Sequence, residues 1–181
     1  MFIAHKLKKE NICEYLLYMW QVEDLIRAFG LNIDVLNERI IAPYPVSDDE
    51  RKNLYEWYES LIEMMRIENV QSDGHLQLNK NIILELTELH EILLKLGQDA
   101  GYNAKFFHVL PFVNQLRSHA EANLTDVELC FNFQYGIMAL RMKKAKISAE
   151  TLQAQTEISK FMVLLARNYQ LYKSGELDID E

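Results

Sequence analysis

Three charged residues near the end of a long apolar segment are the first that could carry chemistry. The segment NICEYLLYMWQVEDLIRAFG (residues 11–30) has apolar residues on almost every side of a helix, yet it contains Glu23, Asp24 and Arg27. Glu23 and Arg27 are four residues apart with the acid first, the favourable order for a helical ion pair. Asp24 lies on another side and needs a donor from elsewhere. Because an unpaired buried charge is costly, the three residues either fix helix register or form the polar corner of a pocket.

A second apolar segment contains two amide side chains that we expect to be buried. Asn132 and Gln134 interrupt the run LCFNFQYGIMAL (residues 129–140). Buried amides have to be hydrogen-bonded, so we expect them to meet the three charges of the first segment across a shared interface. Such a network either sets the register of two helices or binds a small polar ligand. One of the two carboxylates could also act as a general base if a pocket surrounds it.

The histidines do not have the spacing of a metal site. A di-metal carboxylate site in a helical bundle needs Glu-x-x-His on two helices, and no such motif occurs. His108 and His119 are eleven residues apart, roughly 16 Å along a helix, too far for one ion. No zinc spacing, nucleophile elbow, P-loop or dinucleotide-binding motif is present. We therefore predict no metal, no cofactor and no catalytic residue, and interpret His90 as a hydrogen-bonded histidine at the edge of the core.

Composition excludes several classes of partner. The 181 residues carry a net charge of −8 without a long basic run, which argues against nucleic acid because phosphate binding needs clustered Lys and Arg. The longest uncharged run is too short to cross a bilayer, which takes about 20 residues. Cys13 and Cys130 have no CxxC partner, as is typical of buried thiols in a cytoplasmic protein. We expect a cytoplasmic protein that binds neither nucleic acid nor membrane.

Apolar residues at helical spacing, with few Gly and Pro, predict an all-α fold. We predict a single-domain multi-helix bundle of about seven helices over residues 1–175, followed by an acidic frayed tail at 176–181. Ser47 with Glu50, and Thr125 with Glu128, are predicted capping boxes. The predicted helices cover about 8–29, 32–42, 47–66, 79–100, 104–122, 125–144 and 148–174. The first and sixth are apolar nearly all round and are therefore expected at the centre.

Aromatic residues indicate where the protein could associate with itself. Tyrosine is enriched at protein interfaces. Tyr55 and Tyr172 lie at the edges of the apolar stripes of their helices. They are the candidate interface residues.

The N-terminal block also resembles a known family. The stretch HKLKKENICEYLLYMWQVEDLIRAF, the chain length and the all-helical pattern are similar to an uncharacterised bacterial family of about 180 residues. That family is a domain of unknown function typical of Bacteroides-type bacteria. The resemblance would cover the whole chain and rests mainly on residues 15–27. It implies a bacterial cytoplasmic protein and carries no known activity.

Three functions remain open at this point. The first is a non-enzymatic helical interaction or scaffold protein that forms a homodimer through an aromatic face. The second is a small-ligand binding or sensory module with a buried polar pocket between the first and sixth helices. Its candidate residues are Glu23, Asp24, Arg27, Asn132 and Gln134. The third is an enzyme with a carboxylate general base. For the protein as a whole, the expected partner is a second copy of the chain, an unidentified protein or a small ligand.

Overall fold

The computed structural model describes residues 1–120 and 123–177, and its regular structure there is entirely helical. This confirms the all-α prediction. Within those residues the chain forms eight α-helices: α1 Phe2–Glu10, α2 Ile12–Ala28, α3 Ile33–Leu36, α4 Asp48–Ile67, α5 Gln77–Leu96, α6 Ala100–His119, α7 Asp126–Met142 and α8 Ala149–Ser174. A π-helical segment, Asn37–Ile41, continues α3. The predicted end of the fifth helix at 121–122 and most of the predicted tail, 178–181, lie outside the described residues.

The single helix predicted over 8–29 is wrong, because two helices cover that stretch. α1 ends at Glu10 and α2 begins at Ile12. Between them, Asn11 Oδ1 accepts a hydrogen bond from the backbone N–H of Cys13 at 3.1 Å. Asparagine favours helix starts because its side chain satisfies an otherwise unpaired N–H. The capping side chain therefore starts a new helix where the apolar pattern continues unchanged.

Both predicted capping boxes are present. The side chains of Ser47 and Thr125 accept from the backbone N–H groups of Glu50 and Glu128. Each glutamate side chain in turn accepts from the backbone of the capping residue. These reciprocal bonds determine where α4 and α7 begin.

The chain divides into two compact units. The first comprises Met1–Glu10 and Glu14–Asn81, and the second comprises Asn11–Cys13 and Ile82–Glu181. The predicted single-domain organisation and the central position of two helices stay predictions.

An aromatic cluster lies in the core of the second unit. Tyr102 and Phe106 of α6 and Phe161 of α8 are buried, and their ring centroids are 5.5 Å apart in two of the pairs. α6 and α8 run antiparallel, because Asp99 at the start of α6 bonds Asn168 near the end of α8, whereas Lys105 further along α6 bonds Glu157 nearer the start of α8. His90 of α5 packs edge-on against Phe106, with ring centroids 4.5 Å apart. This cluster holds one histidine among aromatic rings.

Candidate functional site

The buried carboxylate of Glu23 anchors the segment that precedes α5. The Glu23 side chain is 0% exposed. Its Oε2 lies 2.6 Å from Nδ1 of His75, whose ring stacks on Trp20 with centroids 4.0 Å apart. Its Oε1 accepts from the backbone N–H of Leu76 at 2.9 Å and from Asn79 Nδ2 at 2.7 Å. Three polar groups around one carboxylate compensate the cost of burying the charge, which is the arrangement of a structural anchor.

Arg27 holds the same segment, and it pairs with a different acid from the one expected. Its Nη1 lies 2.8 Å from Oδ1 of Asp24. Its Nη2 donates to the carbonyl oxygens of Val70 and Gly74. The predicted pairing with Glu23 is therefore wrong, because the backbone carbonyls of the segment draw the guanidinium toward them. Asp24, 54% exposed, has this donor one helical turn away on its own helix.

The two candidate amides of α7 lie in different surroundings. Gln134 Nε2 donates to the carbonyl of Gln155 at 3.0 Å and to Ser159 Oγ at 2.8 Å, both on α8. Asn132 is exposed rather than buried. Gln134 lies two positions after Asn132, and a two-residue step on a helix turns the side chain to a different face. The network that would join these amides to the charges of α2 stays a prediction, whereas within the second unit Gln134 ties α7 to α8.

A polar pocket of about 300 Å³ lies within the second unit. We call it the His90 pocket, and its polar lining comprises Thr87, His90, Glu91, Arg117, Asn123, Thr125 and Asp126. The three α5 residues are spaced i, i+3 and i+4, so they share one face of that helix. The Thr125 cap places Asp126 in the first turn of α7. Three helices therefore contribute polar groups to one concave surface.

His90 is the unusual residue of this pocket. It is 3% exposed, and its Nδ1 lies 2.7 Å from the Tyr102 hydroxyl. Burial raises the pKa of Tyr102, so the phenol keeps its proton. The carboxylate of Asp126, whose Oδ2 faces Nε2 at 3.9 Å, favours the tautomer with the ring proton on Nε2, and Nδ1 then accepts from the phenol. That Nε2 has no hydrogen-bond partner among the described residues, although a buried polar group normally has one.

Asp126 faces the unsatisfied nitrogen. Its Oδ2 lies 3.9 Å from His90 Nε2, which is beyond hydrogen-bond distance. The His90 imidazole, ahead of the Arg117 guanidinium, lowers the pKa of the Asp126 carboxyl. Arg117 itself is held by Asp126 Oδ1 and by the carbonyl of Leu124. One atom seated beside the gap could accept from Nε2–H and donate to the carboxylate, as a hydroxyl does.

The comparisons with known proteins place the chain in a family. Residues 1–176 match a family described as Domain of unknown function (DUF4924). This chain belongs to the DUF4924 family. No curated protein and no solved structure matches it. The predicted family resemblance is confirmed, and membership assigns no activity to any residue.

In this DUF4924 chain, most of the polar residues that line the His90 pocket are not among the candidate site residues predicted from the sequence. The sequence predicts a hydrogen-bonded histidine at the core edge for His90, and the bond to Tyr102 fits that prediction. No sequence pattern indicates that Arg117 and Asp126 lie near His90, because both are distant from it along the chain. Only the capping box at Thr125 indicated that Asp126 begins a helix.

The structure also describes the predicted interface tyrosines and bears on membrane-spanning helices and metal sites. Tyr172 is 38% exposed, and Tyr55 is partly buried. No described helix combines the length and the apolar character needed to cross a membrane. Nor does any group of three His, Cys, Asp or Glu side chains that could hold a metal ion occur within residues 1–120 and 123–177.

Proposed function

We propose that this protein is a small-ligand binding module whose site is the His90 pocket. The observation that carries the proposal is the Nε2 of His90, a buried ring nitrogen that no described residue satisfies and that borders a cavity. In the Nε2–H tautomer this nitrogen is a donor. Such a donor is costly to leave unpaired in the folded protein. A ligand atom that accepts from it would remove that cost at the moment of binding.

The charges around the pocket favour an uncharged ligand that bears hydroxyl groups. Glu91 and Asp126 oppose an anion, whereas the guanidinium of Arg117 already engages Asp126 and the Leu124 carbonyl. A hydroxyl can accept from His90 Nε2–H and donate to Asp126 in the same pose. The volume of about 300 Å³ is at the lower end of small-molecule pockets. A monosaccharide or a polyol has this size and chemistry.

Saturation-transfer NMR with the full chain tests this proposal. The probes are D-glucose, D-ribose and myo-inositol, with the anion D-gluconate for comparison. We expect transfer to at least one neutral probe and none to gluconate. Native mass spectrometry of freshly purified protein reports, in addition, any neutral molecule retained through purification.

A matched pair of variants assigns the signal to the pocket. Asp126→Asn removes the carboxylate that follows the Thr125 cap, and Asp48→Asn makes the same change after the Ser47 cap of α4. We expect Asp126→Asn to abolish the transfer and Asp48→Asn to preserve it. No transfer from any neutral probe, or equal transfer in both variants, contradicts the proposal.

A second candidate function is self-association as a homodimer, which a separate observation favours. Phe107 of α6 is 63% exposed and Val163 of α8 is 57% exposed, and these two helices pack along each other. Large apolar side chains on adjoining helices are typical of an interaction surface. We therefore place the proposed dimer face on α6 and α8, with Tyr172 further along α8.

Sedimentation equilibrium tests the dimer. Both side chains are exposed, so Phe107→Ser and Val163→Ser leave the core intact. We expect the double variant, and to a smaller extent Tyr172→Ser, to shift a dimer toward monomer. Tyr55→Ser tests the second predicted interface residue. Leu84→Ser, which removes another exposed apolar side chain, is the control. A monomeric wild type contradicts the dimer without affecting the ligand proposal.

We also propose a bacterial cytoplasmic location. The family resemblance and two buried thiols, Cys13 and Cys130, support this, since cytoplasmic thiols stay reduced. Fractionation of the source cells followed by immunoblotting tests it. Recovery in a membrane or secreted fraction would contradict it.

A further inference from the structure

A second cavity, of about 390 Å³, lies elsewhere in the second unit. It shares no lining residue with the His90 pocket. We call it the leucine cavity, and its main lining residues are Leu93, Leu96, Leu171, Leu177, Asp99 and Arg167. The end of α5, the start of α6 and the end of α8 surround it. Its size falls within the range of about 300–1,000 Å³ typical of small-molecule pockets.

One cationic and one anionic side chain border the leucines. Arg167 is exposed, and its guanidinium makes no ion pair or hydrogen bond with another described residue. Asp99 is held in place, because its Oδ1 accepts from the backbone N–H of Tyr102 at 2.9 Å. Among the described residues its Oδ2 receives only a long bond of 3.3 Å, from Nδ2 of Asn168. The cavity is therefore bordered by the Arg167 guanidinium, which has no partner among the described residues, and by the Asp99 carboxylate, whose Oδ2 can accept a further hydrogen bond.

We propose that the leucine cavity binds an α-amino acid with an aliphatic side chain. Its carboxylate would pair with Arg167, whose planar guanidinium suits bidentate recognition of a carboxylate. Its ammonium group would approach Asp99 Oδ2, and its side chain would pack on the leucines. A simple fatty acid would meet repulsion from Asp99, and a simple amine would leave Arg167 without a partner. Only a zwitterion satisfies both charges.

Isothermal titration calorimetry of the full chain tests the ligand class with three probes of one carbon skeleton. These are L-leucine, 4-methylpentanoate, which lacks the amine, and 3-methylbutylamine, which lacks the carboxylate. We expect L-leucine to bind at least tenfold more tightly than either analogue. Equal affinity for L-leucine and one analogue, or no binding of L-leucine, overturns the proposal.

Two variants that spare the fold assign each charge. Arg167→Gln changes an exposed side chain, and Asp99→Asn keeps an oxygen that can cap α6, since Asn and Asp cap helices about equally well. We expect each to weaken L-leucine binding at least tenfold. Asp99→Asn should in contrast strengthen 4-methylpentanoate binding, because the repulsion is removed. Arg141→Gln on α7 is the matched control and should bind like wild type. Unchanged L-leucine affinity in Arg167→Gln or Asp99→Asn overturns the assignment.

Discussion

The hydroxyl of Tyr102 lies 2.7 Å from Nδ1 of His90, and both side chains are buried. Because the Asp126 carboxylate faces Nε2, we expect the ring proton of His90 on Nε2, with the phenol donating to Nδ1. A buried tyrosine on α6 thus orients the ring nitrogen that a histidine on α5 presents to its pocket. Such orientation by a hydrogen bond at the opposite nitrogen is a general property of histidine sites.

Tyr102→Phe should destabilise the protein by about 1–3 kcal/mol, because Nδ1 of a buried imidazole then has no donor. Urea unfolding measures the loss, and ¹⁵N-detected NMR of the imidazole reports the tautomer, which we expect to be Nε2–H in the wild type. Tyr172→Phe removes an exposed hydroxyl and should change the free energy of unfolding by less than about 0.5 kcal/mol. Equal stability of Tyr102→Phe and wild type would show that the bond contributes nothing.

The Asp126 carboxylate should stabilise the fold in a pH-dependent way. Its pKa in the folded protein is lower than in the unfolded chain. Its contribution is therefore complete above the unfolded pKa of about 3.9 and is lost as the pH falls through the lower folded pKa. Wild type should exceed Asp126→Asn in stability at pH 7 by up to about 1 kcal/mol, the range of a partly exposed ion pair. A difference that stays constant from pH 7 to pH 2 would contradict this.

Glu23→Gln should be one of the most destabilising single changes in α2. The substitution introduces an amide NH₂ where the buried carboxylate accepts from Leu76 and Asn79 and pairs with His75. We expect a loss of about 3 kcal/mol, together with faster amide exchange in residues 70–76. Asp24→Asn, at the exposed neighbouring position, should cost far less. If both variants unfold at the same urea concentration, the anchoring role of Glu23 is wrong.

The thiols should be unreactive in the native protein. Burial raises the pKa of Cys130, and Cys13 is also buried. The reactive thiolate is therefore scarce and inaccessible at pH 8. In the native protein, Ellman's reagent should label both cysteines only as fast as the protein unfolds. In 6 M guanidinium, where the chain is already unfolded, labelling should be complete within the mixing time. Rapid labelling of a native thiol would reveal an exposed or activated cysteine.

Local signals in the sequence predicted the helical class and several helix starts correctly. The pairs Ser47 with Glu50 and Thr125 with Glu128 act over three residues, so the sequence contains all that their geometry requires. The apolar spacing likewise reports which face of a helix is buried. The break at Asn11 was missed because one capping side chain prevailed over a continuous apolar pattern.

The partners of the polar residues were decided by the tertiary structure alone. Glu23 meets Asn79, and His90 meets Tyr102 and faces Asp126, across separations of 12 to 56 residues. A helical pattern specifies the face on which a residue lies but not the residue that a different helix brings opposite it. The same limit applies to Arg167 and the leucine cavity. The sequence by itself therefore determined an all-helical member of its family, whereas the pockets arise only when helices distant along the chain pack together.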